Sequence, residues 1–462
     1  MKKNITIQID TKLRELPYII ALKSLFKRNG QIELHPAYQD PIWLNGKSEF
    51  TETINKKSNI LVTPSYNSNR THYTLAWKYY SKAKLVKWHS EQLFDKRFYN
   101  EKLNLNALSK YNRDVDFHIV WGKHLAKLLV KKAKINPNRI YITGCPKFDT
   151  LTQSEEPSNS GCEERKNKIV FVSDFTLATM SEVEYQDILK KYKYDKNFRL
   201  REFYTKAFKK FYYIIESVAK NHPACEIIVR LHPGERLEAY SKLSKFNNIQ
   251  FSQHEPFSEI IAGTDVVAQF LSTSFFESVL AGKRVYCLDL IDDYNGNWRE
   301  HYKYYNFINS EIFIKNFDAI QNNTFMQQTE QVEAGMKELF STHLGMSIPR
   351  TYLALSHILE RSEGGWSNLF IDNVKVKKTS YIFFLKKFLA SVLFYLQNNG
   401  FTTNKKADYI TDNFYGSDEG FTESEVDALV REYINKNSQN LDEILCAKYS
   451  ITETEYGIEV SV

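Results

Sequence analysis

Two stretches of sequence, IIVRLHPGE at residues 227–235 and FLSTSFFESVLAG at residues 270–282, decide the fold. Each begins with apolar residues that are typical of a buried strand and then changes abruptly to small or polar residues. The second stretch continues directly into a helical pattern. Because open α/β sheets bind ligands at the carboxyl ends of their parallel strands, both stretches predict a ligand site along one edge of a sheet.

Strand and helix patterns alternate over most of the chain. Strand patterns in the first part of the chain fall at residues 4–9, 31–34, 59–63, 84–88, 116–121 and 139–143. A second series falls at 168–172, 226–231, 249–251, 265–270 and 284–288. Helical patterns separate them, the first at 18–28, so the sequence predicts an α/β protein with two doubly wound domains. We place the first domain at 1–154, the second at 168–345 and a helical C-terminal extension at 346–462.

The composition indicates a globular protein. The chain has 462 residues, of which 42% are hydrophobic and 25% charged, which fits two or three domains. Five cysteines lie far apart without a CxxC pair, so neither a disulfide framework nor a zinc site is expected. The N-terminal sequence lacks the apolar core of a signal peptide, and no run is apolar enough to span a bilayer. We therefore expect a cytoplasmic protein.

The formal net charge of +7 fits either a lysine-rich composition or attraction to an anionic membrane or polysaccharide. No nucleic-acid-binding module is recognised, so nucleic acid is not expected as a partner. Residues 375–397 interleave aromatic residues with Lys375, Lys377, Lys378, Lys386 and Lys387. Such a helix is typical of a peripheral membrane contact, and a helix packed on the protein with a solvated lysine face is the alternative.

Small hydroxyl residues follow the strand predicted at 265–270. Ser272, Thr273 and Ser274 can offer hydroxyls, and the helix that follows them can offer free amides, to the phosphates of a nucleotide. Glu277, one turn into that helix, is positioned to hold ribose hydroxyls. A simple helix N-cap is the alternative explanation for the three hydroxyl residues.

The strand predicted at 226–231 ends in a second group of candidate residues. His232, followed by Pro233, can donate to a phosphate or stack on a base or ribose. Arg230 can direct a cation at the same phosphate, or it can form a structural salt bridge. Either group alone would fit an ordinary turn or helix cap. Both groups at strand ends of one sheet indicate a nucleotide site.

Acidic residues and a histidine mark the strand ends of the first domain. Asp10, Glu15 and Glu91 are candidates for a base that deprotonates an acceptor hydroxyl, or for a nucleophile, and His89 is an alternative base. A helix N-cap at Asp10, an ion pair at Glu15 and a surface position for Glu91 are the structural alternatives. Asp174, at the first strand end of the second domain, is a further candidate.

Several common signatures are missing from the sequence. No GxGxxG follows a strand and no Walker loop occurs, so dehydrogenase and kinase functions are not expected. No DxD occurs at a strand end of the first domain, and no His, Cys or Asp cluster has metal-ligand spacing. The sequence therefore predicts chemistry without a metal.

These motifs resemble a known group of enzymes. The Arg-x-His-Pro strand end at 230–233, the Ser/Thr turn at 272–274 and the helix ending in Ala-Gly-Lys at 281–283 are similar to the donor domain of GT-B glycosyltransferases. The similarity is greatest to bacterial enzymes that use cytidine-activated donors, namely sialyltransferases, Kdo transferases and teichoic acid polymerases. Residues 10–16 and 141–149 also resemble bacterial surface-carbohydrate biosynthesis proteins. The acidic Asp/Glu-Asp/Glu-Gly motif of sialyltransferases is not evident.

The resemblance implies a GT-B-like cleft between two Rossmann-like domains. In sialyltransferases the His-Pro and Ser/Thr motifs bind cytidine monophosphate, which places His232, Pro233 and residues 272–274 at the donor. A CMP-sugar of the Kdo or nonulosonate type is then the substrate, no other cofactor is implied, and the first domain binds a glycan or lipid-linked acceptor for capsule or lipopolysaccharide.

Three alternatives remain open at this point. A CDP-glycerol or CDP-ribitol phosphotransferase uses similar motifs and commonly needs a second histidine on the acceptor side, for which His89 is the candidate. A non-hydrolysing sugar-nucleotide epimerase shares the fold. A non-catalytic nucleotide-sugar-binding protein of polysaccharide assembly predicts no turnover.

Overall fold

The protein is described by a computed structural model. It describes residues 4–9, 12–26, 31–36, 59–64, 78, 83–89, 92, 115–149, 167–192, 200–290, 304–325, 330–340, 346–361, 423–436, 450–455 and 457–461.

The described strands and helices follow the alternation that the sequence predicts. The strands are β1 (Asn4–Ile9), β2 (Gln31–Pro36), β3 (Ile60–Thr63), β4 (Lys84–Trp88), β5 (Phe117–Val120), β6 (Ile140–Ile142), β7 (Lys168–Val172), β8 (Glu226–Arg230), β9 (Ile249–Ser252), β10 (Val266–Gln269), β11 (Arg284–Asp289), β12 (Phe307–Asn309), β13 (Ser450–Thr454) and β14 (Gly457–Ser461). The α-helices are α1 (Lys12–Phe26), α2 (Lys123–Lys131), α3 (Pro146–Asp149), α4 (Thr176–Thr179), α5 (Glu182–Tyr192), α6 (Leu200–Asn221), α7 (Phe257–Ala262), α8 (Ser274–Leu280), α9 (Ser310–Lys315), α10 (Phe317–Gln321), α11 (Glu330–Leu339), α12 (Ser347–Glu360) and α13 (Glu423–Lys436). Pro137–Arg139 and Leu237–Lys245 form 3₁₀ helices.

The first sheet has eight strands in the order β13-β14-β6-β5-β4-β3-β1-β2. Its strands pair in parallel except for the antiparallel pair β13 and β14. A parallel sheet is covered on both faces, which explains why every residue of β3 is buried and why three of its four residues, Ile60 to Val62, are apolar.

Helix α1 begins earlier than the sequence analysis placed it. The helix was expected at 18–28, after Pro17, but it begins at Lys12 and includes Pro17, whose position is exposed. Glu15 therefore lies inside the helix and not in a loop at the strand end, and its side chain is buried.

The second sheet has six parallel strands in the order β12-β11-β10-β7-β8-β9. Counted from its own first strand, β7, this is the order 3-2-1-4-5-6 of doubly wound dinucleotide-binding domains. The winding direction reverses between β7 and β10, and ligands of such sheets bind in the crevice at this switch point. The predicted α/β fold with two doubly wound domains is therefore confirmed.

The C-terminal part of the chain returns to the first sheet. The Tyr352 ring of α12 packs edge-on against Phe26 at 4.6 Å between centroids. Strand β14 pairs in parallel with β6, opposite Tyr141 and Ile142. The extension that was expected to be helical also contains β13 and β14, which extend the first sheet. The boundaries at 154, 168 and 345 remain predictions, and the helix expected at 375–397 lies outside the described residues.

No helix in the described part of the chain combines the length and the hydropathy that crossing a bilayer requires.

A buried aromatic cluster joins the two sheets. Phe340, directly after α11, stacks on Trp121 of the first domain at 5.7 Å and meets Phe148 at 4.8 Å. Phe276 of α8, in the second domain, packs against the same ring at 5.1 Å. We call Trp121, Phe148, Phe276 and Phe340 the aromatic joint.

Gly122 tests how tightly this joint is packed. A Cβ atom at Gly122 would lie 2.5 Å from the Leu339 carbonyl oxygen and 2.9 Å from the Phe340 nitrogen, both backbone atoms that cannot move independently. We expect Gly122→Ala to lower the free energy of unfolding by about 1–3 kcal/mol, as overpacking does, measured by urea denaturation. Gly263→Ala is the matched control, because its Cβ would meet nothing within 4 Å. Equal stability of the two variants would contradict the close packing.

Candidate functional site

Three polar segments converge at the carboxyl edge of the second sheet. Residues 173–176 follow β7, residues 231–235 follow β8, and residues 271–274 follow β10. Neighbouring strands lie about 4.8 Å apart, so the ends of β8 and β10, on either side of β7, are about 10 Å apart. We call this edge the strand-end site.

His232 is the exposed histidine of the strand-end site. The Gly234 backbone N–H donates to its Nδ1 at 3.1 Å, and Thr176 Oγ1 lies 3.0 Å from the same nitrogen. A backbone N–H can only donate, so Nδ1 is the acceptor. The proton of the neutral ring is therefore on Nε2, which leaves Nε2–H as a donor for a ligand.

Gln253 contacts three backbone carbonyl groups of the His-Pro-Gly-Glu turn. Its amide nitrogen lies 3.2 Å from the His232 carbonyl oxygen, 3.3 Å from that of Pro233 and 2.9 Å from that of Glu235. A Cβ atom at Gly234 would come within 3.0 Å of the Thr176 methyl group. The turn is thus compact, and Pro233 is exposed on it.

Arg230 is engaged in structural contacts. Its Nη1 donates to Ser252 Oγ at 3.1 Å and lies 3.6 Å from Glu255 Oε2. Both partners follow or end β9, which lies on the opposite side of β8 from the switch point. The side chain therefore forms the salt bridge that the sequence analysis left open as its second role.

The hydroxyls of the Ser-Thr-Ser turn are not equivalent. Gln269 donates its amide N–H to the Ser272 carbonyl oxygen at 3.2 Å, which fixes its amide oxygen as the acceptor of Ser274 Oγ at 2.8 Å. Ser274 Oγ also donates to Ser272 Oγ at 2.9 Å, so its single hydroxyl proton is shared between Gln269 and Ser272. Thr273 retains a hydroxyl proton for a ligand.

The amides at the start of α8 are also partly used. Ser274 N–H donates to Ser272 Oγ at 3.3 Å, and Phe275 N–H donates to the Ser272 carbonyl oxygen at 3.3 Å. Two of the amides that were expected to bind a phosphate are therefore engaged within the turn. Leu271, just before the turn, is buried with φ of 54°, a conformation that costs a non-glycine residue about 1–2 kcal/mol.

Glu277 bonds across the two domains. Its carboxylate accepts from Lys147 Nζ of α3 at 2.5 Å, and both side chains are mostly buried. The same ammonium lies 5.7 Å from the ring centroids of Trp121 and Phe148 in the aromatic joint. Glu277 was expected to hold ribose hydroxyls, and here its partner is a lysine that the sequence analysis did not single out.

Glu235 is a second residue that the sequence analysis missed. Its buried carboxyl contacts Ser173 Oγ, the Tyr240 hydroxyl and the Phe175 backbone N–H. It thereby ties the turn after β8 to the segment after β7. Burial raises the pKa of Glu235 to about 7. The sequence does show an acidic residue directly after His-Pro-Gly, which could have marked Glu235 as a candidate. Only the fold shows that its side chain points inward.

The acceptor-side candidates of the first domain separate into two groups. Asp10 and Glu91 lie outside the described residues. Glu15 is buried in α1, and His89 is buried with its Nε2 3.2 Å from His118 Nδ1. Burial lowers the pKa of both histidines well below the usual range. Neither Glu15 nor His89 is presented to solvent, and their catalytic roles remain predictions.

Two further observations concern the second domain and metals. Asp174 is half-buried beside the Glu235 carboxyl, whose pKa it helps to raise, and its catalytic role also remains a prediction. Within the described residues, no three His, Cys, Asp or Glu side chains are grouped as they would be around a metal ion.

Comparison with solved structures shows the fold. A putative UDP-N-acetylglucosamine 2-epimerase from Listeria monocytogenes matches with a TM-score of 0.51 and 13% identity, covering 79% of this chain and 98% of that one. A variant of the wall teichoic acid polymerase TagF matches with a TM-score of 0.50 and 12% identity, covering 78% and 89%. No family model and no curated protein sequence matches the chain. The chain therefore has the GT-B-like fold, with two doubly wound domains and a strand-end site in the second.

The bond between Lys147 and Glu277 can be measured with a double-mutant cycle. Lys147→Met keeps the apolar stem against Trp121 and Phe148 but leaves Glu277 without its cation, and Glu277→Gln makes the reverse change. We expect each single variant to lose about 1–3 kcal/mol of unfolding free energy, because a mostly buried charge loses its partner. The coupling energy should exceed about 0.5 kcal/mol in urea denaturation.

A second cycle on Lys127 and Glu338 serves as the control. This pair lies near the same joint, but its atoms are 3.5 Å apart and both side chains are 37% exposed. Exposed ion pairs contribute about 0–1 kcal/mol, so its coupling should be smaller. Equal coupling in the two cycles would contradict a special role for Lys147.

Proposed function

We propose that the protein is a glycosyltransferase of bacterial surface polysaccharide biosynthesis. It moves a sugar from a nucleotide-activated donor to a glycan or lipid-linked acceptor. The observation that carries the proposal is the exposed His232 ring at the strand-end site, with Nδ1 fixed as an acceptor and Nε2–H left to donate.

The donor groups left over at the strand-end site suit a nucleotide phosphate. Nε2–H of His232 and the Thr273 hydroxyl project from strand ends on either side of β7, next to the switch point. Sugar transfer breaks the bond between sugar and nucleotide phosphate, and the nucleotide leaves with additional negative charge. Preorganised hydrogen-bond donors stabilise such charge as it develops, which is how a metal-independent transferase works.

The proposed donor is a CMP-sugar of the Kdo or nonulosonate type. This choice rests on the resemblance of the His-Pro and Ser/Thr motifs to cytidine-dependent enzymes. The two solved structures named above are a putative UDP-N-acetylglucosamine 2-epimerase and a teichoic acid polymerase, so a uridine donor and a CDP-glycerol or CDP-ribitol phosphotransferase are the alternatives to test.

The first domain is proposed to bind the acceptor. Since Glu15 and His89 are buried, the proposal places the base or nucleophile at Asp10 or Glu91. The buried position of His89 also speaks against the phosphotransferase alternative, for which it would supply the acceptor-side histidine. A lipid-linked acceptor would place the protein at the inner face of the cell membrane, with residues 375–397 on the anionic surface.

Nucleotide binding tests the strand-end site. We expect CMP, among CMP, CDP, UDP and GDP, to raise the melting temperature most. His232→Ala should weaken the dissociation constant of CMP about 10–100-fold in calorimetry, because a hydrogen bond to a charged group contributes about 1.5–3 kcal/mol. His254→Ala, at an exposed histidine after β9, is the matched control and should leave CMP binding unchanged.

Two conservative variants show which ring nitrogen binds the nucleotide. Gln places a donor near the position of Nε2, and Asn places an acceptor near Nδ1. His232→Gln should therefore bind CMP more tightly than His232→Asn. Failure of all four nucleotides to bind would overturn the nucleotide site, and stabilisation by UDP alone would overturn the cytidine donor.

Turnover separates the remaining alternatives. A CMP-sugar transferase releases CMP from CMP-Kdo when an acceptor is present, and a phosphotransferase releases it from CDP-glycerol. Binding without release from either donor would favour a non-catalytic assembly protein.

Membrane association has its own test. Each lysine near an anionic surface contributes about 1 kcal/mol, so replacing Lys386 and Lys387 by Glu should weaken binding to phosphatidylserine vesicles more than tenfold in sedimentation. Substitution is preferable to truncation at Lys375, because truncation would also remove β13 and β14 from the first sheet. Unchanged sedimentation would contradict the membrane contact.

A further inference from the structure

Three buried oxygen atoms form a closed triangle behind His232. Ser173 Oγ lies 2.5 Å from the Tyr240 hydroxyl, the Tyr240 hydroxyl lies 2.5 Å from Glu235 Oε2, and Ser173 Oγ lies 2.7 Å from the same Oε2. The exposed fraction is 3% for Ser173, 0% for Tyr240 and 5% for Glu235. We call these three residues the Glu235 triangle.

The protons of this triangle can be counted. Two oxygen atoms at these distances are bonded only if a proton lies between them, so three contacts need three protons. Ser173 and Tyr240 supply one hydroxyl proton each. The other carboxyl oxygen, Oε1, accepts from the Phe175 N–H at 2.6 Å and lies 3.0 Å from Ser173 Oγ, whose single proton is shared between the two carboxyl oxygens, so neither contact adds a proton to the triangle. The third proton therefore belongs on Glu235.

The charges around Glu235 favour the same neutral form. Burial, the largest effect, and the Asp174 charge raise the pKa of Glu235, while the hydrogen bonds from Tyr240, Phe175 and Ser173 lower it. The balance puts the pKa at about 7. Burial raises the pKa of Tyr240, so this hydroxyl remains protonated. Arg236, the adjacent cation in the chain, is bound to Glu184 of α5 at 2.8 Å. His232, on the same turn, directs Nδ1 to Gly234 and Thr176.

The triangle holds the two segments that orient His232. Glu235 directly follows Gly234, whose N–H fixes Nδ1, and Phe175 directly precedes Thr176, the other partner of Nδ1. The bonds of Glu235 to Ser173 and Phe175 thus set the separation between the turn after β8 and the segment after β7. If Glu235 ionises, one side of the triangle loses its proton and two oxygen atoms repel each other.

We infer that Glu235 is the positioning residue of the strand-end site and that it acts as a neutral carboxylic acid, whose ionisation loosens the His232 turn and weakens nucleotide binding. The part of this inference that concerns nucleotide binding rests on the proposed function. The part that concerns the neutral acid does not.

Stability as a function of pH tests the neutral acid. The pKa of Glu235 is raised from 4.5 to about 7 on folding, so its contribution to stability is complete below about pH 4.5 and is lost as the pH rises through about 7. Glu235→Gln supplies amide protons in place of the carboxyl proton and cannot ionise. We expect the melting temperatures of the two proteins to agree at about pH 5, and that of the wild type to fall below the variant at about pH 8.5.

Glu238→Gln is the matched control, since Glu238 is exposed on the 3₁₀ helix that follows the turn. Its melting profile should parallel that of the wild type. If Glu235→Gln is instead the less stable protein at about pH 8.5, the carboxylate is the native form and the inference is overturned.

Carbon-13 NMR of the wild-type carboxyl group gives an answer that does not depend on the folding of a variant. A titration midpoint of Glu235 near 7 supports the neutral acid, and a midpoint at or below 4.5 overturns it.

Nucleotide affinity tests the positioning role. At about one pH unit above the carboxyl midpoint only about a tenth of the protein retains the neutral acid, so the wild-type dissociation constant for CMP should rise about tenfold between about pH 6 and pH 8. Glu235→Gln should show a smaller change, because it lacks the ionisable Glu235 carboxyl group and shares every other titratable group with the wild type.

Equal pH dependence in wild type and variant would overturn the positioning role. Absence of binding in both proteins would overturn the proposed function and, with it, the effect on binding. The melting profiles and the carboxyl titration would still decide whether Glu235 is a neutral acid.

Discussion

The packing of one aromatic ring, Phe340, between the two sheets is the constraint on which the rest of the structure depends. It contacts Trp121 and Phe148 from the first domain and Phe276 from the second. Because Phe276 lies in α8, directly after the Ser-Thr-Ser turn, the same packing brings Lys147 within bonding distance of Glu277. The position of the first domain relative to the strand-end site is therefore set by a buried contact and a buried charge pair together.

Most polar groups of the strand-end site form hydrogen bonds to one another. Ser272, Ser274 and Gln269 bond to one another, and Glu235 bonds to residues of two other segments. Buried polar groups without partners cost about 1–3 kcal/mol each, which explains why so many donors are used internally. What remains for a ligand is small and well oriented, chiefly Nε2–H of His232 and the Thr273 hydroxyl.

Much of the fold could be predicted because its signals are local. Strands β7, β8, β10 and β11 are short apolar runs with polar ends, and their alternation with helices requires parallel sheets. The early start of α1 was missed because Pro17 is read as a helix boundary, whereas the helix includes Pro17 in its interior. The hairpin of β13 and β14 was missed although Ile458, Glu459 and Val460 of β14 alternate between apolar and polar residues. The run is short, and it is stabilised by pairing with β6, distant in the chain.

The sequence by itself determined the class of the fold and the edge of the sheet where His232 and the Ser-Thr-Ser turn lie, since parallel strands end on the same side. Only the tertiary structure decided which of those residues have free donors. Arg230 is held by Glu255, Glu277 by Lys147, and His89 by His118. A side chain's partner depends on what the fold packs beside it, and the residues in each of these pairs come from separate segments. Lys147 and Glu277 are 130 residues apart in the chain. Glu235 was missed for the same reason: its side chain points inward because β7 packs against β8, and no local sequence pattern indicates this.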